Sequence, residues 1–245
     1  MRPVRRGASP QTTDFNPYAD AQHHLIGRMG RYCSYCERPI ATQLAVEHIQ
    51  PKGLPAYAHL IGRWDNYLLG CVNCNSTKKD KDVVLSAVLL PDRDNTFVAF
   101  TYTPDGRVEP SARADAAGLL ALARDTLALA GLHKKITVAL DENGRQIAID
   151  RVSQRMEAWA VAEEAKADVT ANPGNEAVRR GAVRTARGYG FFSIWMTVFQ
   201  DDADMRNRLI DAFEGTRDSG CFDALTAEAV SPAPNPDGLP AGGKI

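Results

Sequence analysis

Four cysteines stand in two pairs of the same spacing, Cys33-x2-Cys36 and Cys71-x2-Cys74, with 34 residues between the pairs. A Cys-x2-Cys turn can offer two thiolates to one tetrahedral ion, so two such turns complete a four-sulfur shell. That shell leaves no position open to water, and the expected ion is a structural Zn²⁺ that ties two chain segments together. Between and just after the pairs fall Glu47-His48, Asn66, Asn75 and Lys78, in the pattern His48-x17-Asn66-x8-Asn75. An imidazole can take a proton from water. A carboxylate and a side-chain amide oxygen are hard ligands of the kind Mg²⁺ or Mn²⁺ takes while it keeps several waters. Lys78, a helical turn after Asn75, can bring a cation to the same phosphate. This set suits hydrolysis of a phosphodiester bond.

Each residue also admits a plainer role. The cysteine pairs could be reduced core thiols, Glu47-His48 a surface ion pair and Asn75 a helix N-cap. Lys78, Lys79 and Lys81 could be a solvated face. Tyr35, Tyr67 and Trp64 fit packing around the cysteines better than base stacking. His23, His24, His59 and His133 lack a matching frame, and Cys221, alone downstream, reads as a core residue.

The elements that must position these groups follow from local pattern. Residues 1–20 are polar and broken by Pro3, Pro10 and Pro17, and read as an irregular lead-in; residues 20–30 read as a short helix stopped by Gly30. Leu44-Ala45-Val46 predicts a strand entering Glu47-His48, and Tyr67-Leu68-Leu69 a second strand entering Cys71. Asn75 or Ser76 then caps a helix through the lysines. Phe97 to Tyr102 predicts a strand, with Pro104-Asp105-Gly106 as a turn. Helices are expected over 112–130, 148–171 (Val152, Met156, Trp159 and Ala162 on one face), 176–187, the apolar stretch after Gly188-Tyr189-Gly190, and 202–214. The large apolar residues between Phe191 and Phe199 suit a buried helix or a docking face. No internal repeat is visible. Four regions result: a 1–30 arm and short helix, a 31–110 metal-stapled module with a β hairpin, a 111–230 helical region serving as substrate clamp or partner dock, and a 231–245 tail whose Pro, Gly and Asn predict disorder. The fold class is α+β.

Composition narrows the class. The chain of 245 residues has 44% hydrophobic and 24% charged residues, the proportions of a globular protein. No apolar run is long enough for a membrane span, no secretory signal opens the chain, and the expected location is the cytoplasm. The formal net charge of -1 excludes a uniformly basic nucleic-acid binder. The charge is uneven, however: residues 1–82 hold eleven Lys/Arg against seven Asp/Glu, and the remainder 18 against 23. A polyanion site confined to the first third fits that asymmetry, with Lys52, Lys78, Lys79 and Lys81 as nucleic-acid contacts.

The runs Cys33-Ser34-Tyr35-Cys36, Val46-Glu47-His48-Ile49-Gln50-Pro51-Lys52, Trp64-Asp65-Asn66-Tyr67-Leu68-Leu69 and Cys71-Val72-Asn73-Cys74-Asn75-Ser76-Thr77-Lys78 resemble HNH (ββα-metal) endonucleases with a four-cysteine zinc. The resemblance implies His48 as general base, Glu47 and Asn75 as ligands of a catalytic Mg²⁺ or Mn²⁺, and Asn66 as brace of the loop that orients His48. Position 47 is Glu where Asp is common, and 75 is Asn where the family is named for His. Across the whole chain, Met1-Arg2-Pro3-Val4, Pro91-Asp92-Arg93-Asp94-Asn95-Thr96 and Gly190-Phe191-Phe192-Ser193-Ile194-Trp195-Met196 resemble the PtuB-type HNH subunits of Septu and retron-linked anti-phage systems. That likeness implies a PtuA-like ABC-type ATPase partner, within a retron complex in some systems. The expected function is therefore a metal-dependent nuclease acting on DNA, with RNA or tRNA as the other substrate class. The competing functions are a non-catalytic zinc-binding adaptor for nucleic acid or protein, and a chain inert until it meets the ATPase.

Overall fold

A computed structural model describes residues 1–134, 139–140, 142–144, 146–147 and 150–245. Helix α1 (Gln22–Met29) buries Leu25 and Met29 and stops at Gly30, whose φ of 74° lies in the region only glycine enters freely. Strands β1 (Ala45–His48) and β2 (Tyr67–Gly70) pair antiparallel with Val46 opposite Leu69 and His48 opposite Tyr67. All four residues of β2 are buried, because α1 packs on the sheet as well. Helix α2 (Val72–Lys78) begins at once after β2. Its N-cap is Cys71, not Asn75 or Ser76: the Cys71 sulfur accepts the Cys74 N–H at 3.4 Å, so the helix starts a turn earlier than expected.

The predicted strand from Phe97 is half helix. Helix α3 (Thr96–Ala99) precedes β3 (Phe100–Tyr102), which pairs with β4 (Val108–Pro110) across the 103–107 turn. Thr96, Val98 and Ala99 are all buried, a run without the alternation a one-sided strand needs. Gly106 carries the turn at φ 74°, where a Cβ would meet the Val152 carbonyl at 2.5 Å. The expected 112–130 helix is two, α4 (Ala112–Ala116) and α5 (Leu120–Ala130), broken at Gly118 with φ 72°.

A short hairpin of β5 (Ala139–Leu140) and β6 (Gln146–Ile147) leads to α6 (Arg151–Ala171), which Asp150 caps. The helix predicted from 148 has its first two positions, Ala148 and Ile149, outside the described residues. Its buried face runs through Val152, Arg155, Ala158 and Ala162, while Met156 is 39% exposed and Trp159 turns its indole N–H to Glu163. Helix α7 (Glu176–Tyr189), capped by Asn175, lies on α6, and the small Ala182 and Ala186 lie buried on its inner face. Helices α8 (Phe192–Val198) and α9 (Ala203–Ala212) complete the region. Phe192, Ile194, Trp195 and Met196 are at most 1% exposed, so α8 is core and offers no docking face. Among the described residues no helix is long and apolar enough to cross a membrane.

Two terminal segments depart from expectation. Residues 1–6 are not a free arm. Arg2 is buried and donates to the carbonyls of Met29 and Glu214 and to the Thr216 hydroxyl; Arg6 is buried between the Tyr67 carbonyl and Asp92. Residues 231–245, predicted disordered, pack along the 93–95 backbone. Ile245 is 2% exposed, its carbonyl accepts from Asn95 and Ala233, and the Gly243 N–H donates to the Arg93 carbonyl at 2.8 Å. Polar, proline-rich composition signalled few apolar contacts, but these backbone groups find partners in the 91–96 run. One backbone motif also occurs twice, at 31–40 and 221–230, without a shared residue.

Candidate metal centre and active site

The first cysteine pair sits on a knuckle closed by three backbone hydrogen bonds: Ile40 N–H to Arg31 carbonyl, Cys33 N–H to Arg38 carbonyl, and Glu37 N–H to Cys33 carbonyl. Ser34 stitches the knuckle to β2, its N–H donating to the Leu69 carbonyl at 2.8 Å and its hydroxyl accepting the Leu69 N–H at 3.2 Å. The second pair opens α2. The four sulfurs of Cys33, Cys36, Cys71 and Cys74 lie within 4.8 Å of one another, all buried. Cys36 and Cys71 are 3.7 Å apart. Sulfurs at about 2.3 Å from a tetrahedral Zn²⁺ stand about 3.8 Å apart, so the cluster fits zinc. Arg151, at the start of α6, donates to the Cys74 sulfur at 3.1 Å and places a guanidinium beside the thiolates. Cys221 is no part of this cluster; burial pushes its thiol up to about 11.

At the other end of β1, Glu47, His48, Asn75, Lys78, Lys79, Lys52 and Tyr18 line one pocket of about 360 Å³. The His48 Nε2 lies 3.0 Å from the Ile61 carbonyl. A carbonyl only accepts, so Nε2 carries the proton and Nδ1 is the free lone pair. Burial pushes the imidazole below its ordinary pKa, which keeps that lone pair available at neutral pH. The ring is held edge-on between Tyr18 and Tyr67, at 4.8 and 5.2 Å between centroids.

Asn66 spans the loop that leaves β1. Its Oδ1 accepts the Gln50 N–H at 2.8 Å and its Nδ2 donates to the Gln50 carbonyl at 3.0 Å. The Ile49 N–H donates to the Asn66 carbonyl, so the residues after His48 are pinned to the base of β2. Glu47 is 3% exposed, and burial raises its carboxyl above the ordinary value. Lys78 does not reach outward. It is 1% exposed, its ammonium donating to the His48 carbonyl at 2.7 Å and standing 2.9 Å from Glu47 Oε1, off the angle of a hydrogen bond. Glu47 Oε1 is thus a buried acceptor with no hydrogen bond. The half-buried Asn75 amide likewise makes none among the described residues. The Glu47 carboxylate, ion-paired with Lys78 from behind, and the Asn75 amide border one pocket, and this pair of oxygen donors suits a hard divalent cation.

Of the other lysines, Lys52 and Lys79 are exposed at the pocket, Lys52 donating to the Tyr18 hydroxyl at 2.5 Å. Lys81 is exposed away from it and donates to the Ala128 carbonyl at 3.3 Å. Sequence reasoning missed Tyr18 and Gln22, which wall the pocket; no local pattern marks them, since only packing of α1 and the 18–21 turn before it on the sheet brings them there. The pocket can hold a neutral imidazole against a water beside a cation held by two oxygens.

No curated protein matches this chain. Residues 33–81 match the HNH endonuclease family, the span that holds both cysteine pairs, β1, β2 and α2. The chain therefore carries, over residues 33–81, an HNH endonuclease domain with a four-cysteine cluster that fits zinc.

Proposed function

We propose that this protein is a metal-dependent endonuclease that hydrolyses phosphodiester bonds, in DNA first and in RNA or tRNA second, with His48 as the general base. The observation that carries this reading is the His48 ring, fixed with Nε2–H on the Ile61 carbonyl and Nδ1 free, in the same pocket as Glu47 and Asn75. Nδ1 takes the proton of the attacking water as its oxygen bonds phosphorus and the bond to the leaving sugar oxygen breaks. Glu47 and Asn75 would hold Mg²⁺ or Mn²⁺, which when bound neutralises phosphate charge and eases departure of the leaving oxygen. Lys78 is a positioning residue, setting the Glu47 carboxylate and the His48 backbone from behind. Asn66 holds the loop that aims His48. Lys52 and Lys79 meet neighbouring phosphates from the rim, and Lys81, off the pocket, adds a long-range charge.

The partner reading, a PtuA-like ABC-type ATPase in a cytoplasmic anti-phage complex, is supported by likeness of sequence alone. Its three segments meet in one buried junction: Thr96 donates to the Met1 carbonyl, Val4 N–H to the Pro91 carbonyl, and the Met1 amine to the Ser193 hydroxyl.

The test is cleavage of plasmid DNA and of RNA with Mg²⁺ or Mn²⁺, by the chain alone and co-expressed with its genomic neighbour. His48→Ala is expected to lower the rate by about 10²–10⁴, with melting followed alongside because the ring packs between Tyr18 and Tyr67. Equal rates in the two chains remove His48 from the mechanism. Binding without cleavage under every condition favours the adaptor.

A further inference from the structure

Helix α1 floors two hollows. Its first turn, at Gln22, lines the His48 pocket; its end, at Ile26 and Gly30, lines a groove of about 410 Å³ walled by the 31–40 knuckle and the C-terminal end of α7. Gln22 and Ile26 are four residues apart, on one face and about 6 Å apart along the axis. The groove carries the exposed Arg31, and Arg187 paired with Glu214 at 3.1 Å. From Arg187, α7 extends the line. Arg184 and Arg180 share its outer face, exposed and with no hydrogen bond or ion pair among the described residues. Gly181 and Gly188 flank that row, and each faces open space where a Cβ would stand. The contrast lies on the same helix. Arg179 pairs with Asp202 and Asp204 and fastens α7 to the start of α9. Arg184 and Arg180 fasten nothing among the described residues, in a part of the chain where acids outnumber bases.

The geometry points to a second nucleic-acid contact: a strand held at the His48 pocket passes over the end of α1 and lies along α7, its phosphates on Arg31, Arg187, Arg184 and Arg180. This rests on the phosphodiester reading above. Arg180 and Arg187 are about 10 Å apart along the helix, a span of about three phosphates of one strand. A planar guanidinium pairs bidentately with phosphate and reads no base, so the track supplies length-dependent affinity rather than sequence preference.

The measurement is fluorescence anisotropy of the full-length His48→Ala chain with a labelled duplex of about 30 base pairs at several salt concentrations. Arg180→Ala with Arg184→Ala is expected to weaken binding about tenfold and to flatten the salt slope by about 2, one for each phosphate left without its guanidinium. Arg180→Lys with Arg184→Lys is expected to keep the slope. Arg113→Ala, which removes an exposed charge from α4, is expected to change neither quantity. Unchanged affinity and slope in the alanine pair overturn the proposal, as does a loss confined to binding of an acidic protein. A chain whose binding depends on these arginines but which cuts nothing, alone or with its genomic neighbour, supports the α7 track and sinks His48 as a base.

Discussion

Residues 31–40 and 221–230 have the same backbone and different chemistry. In each, a ten-residue turn closes with an antiparallel bridge, Tyr32 to Pro39 and Phe222 to Ala229. Each hydrogen bond has its counterpart: Ile40 N–H to Arg31 carbonyl and Val230 to Cys221, Cys33 to Arg38 and Asp223 to Glu228, Glu37 to Cys33 and Ala227 to Asp223. Even the left-handed residue recurs, Glu37 at φ 62° and Ala227 at 57°. Where the first has Cys33 and Cys36, the second has Asp223 and Thr226. The Asp223 carboxylate accepts the N–H groups of Leu225 and Thr226 and the Thr226 hydroxyl, the local donors of the turn. A carboxylate is enough to hold the knuckle's shape. The sulfurs of the first knuckle therefore serve a longer-range purpose, fastening the turn to Cys71, Cys74 and so to α2. The tips agree with this. Tyr35 is 1% exposed because its knuckle is docked on β2, while Leu225 in the matching place is 87% exposed.

Four experiments would break or sharpen that contrast. The largest effect is expected from Cys36→Ser or chelation of the metal. Small zinc modules draw about 10 kcal/mol from the ion, so α2 should lose its place, with cleavage and the main melting transition falling together. Metal content, melting and activity measured on one sample check this; a Cys36→Ser chain as stable as a Thr226→Ala chain would end the tether argument. Next, Tyr35→Ala is expected to cost about 3–5 kcal/mol in denaturant melts, the range for a buried aromatic in a core. Asp223→Ala should lower the melting midpoint only slightly, since water partly replaces the lost bonds at this exposed turn, while metal content and cleavage stay unchanged. Leu225→Ser should fall within about 0.5 kcal/mol of the parent, since an exposed tip has no packing to lose.

The first knuckle was legible from its sequence and the second was not, for a physical reason. Cysteine at fixed spacing is rare and has one dominant use, so Cys33, Cys36, Cys71 and Cys74 announced both a cluster and its partner segments. The second knuckle is written in backbone hydrogen bonds, which many sequences satisfy, and shares no residue with the first. The same division runs through the pocket. Glu47, His48, Asn66 and Asn75 stood out by type and spacing, and β1 and β2 formed where short apolar runs predicted them, while α2 began a turn before the cap expected at Asn75 or Ser76. Lys78 read as a phosphate contact or a solvated lysine, because its burial depends on the inward turn of α2 against β1. Tyr18 and the threaded residues 1–6 gave no local signal, since their order comes from partners far along the chain.

Those partners have a consequence for synthesis. Arg2 donates to the Glu214 carbonyl, 212 positions downstream, and Arg5 pairs with Asp237. On the ribosome, residues 33–81 can emerge with all four cysteines long before the segment that encloses residues 2–6 exists. During that interval Arg6 can already reach the Tyr67 carbonyl and Asp92, while Arg2 and Arg5 still lack Glu214 and Asp237. A nascent chain thus carries the four cysteines and His48 before the contacts that fasten residues 2 and 5 can form.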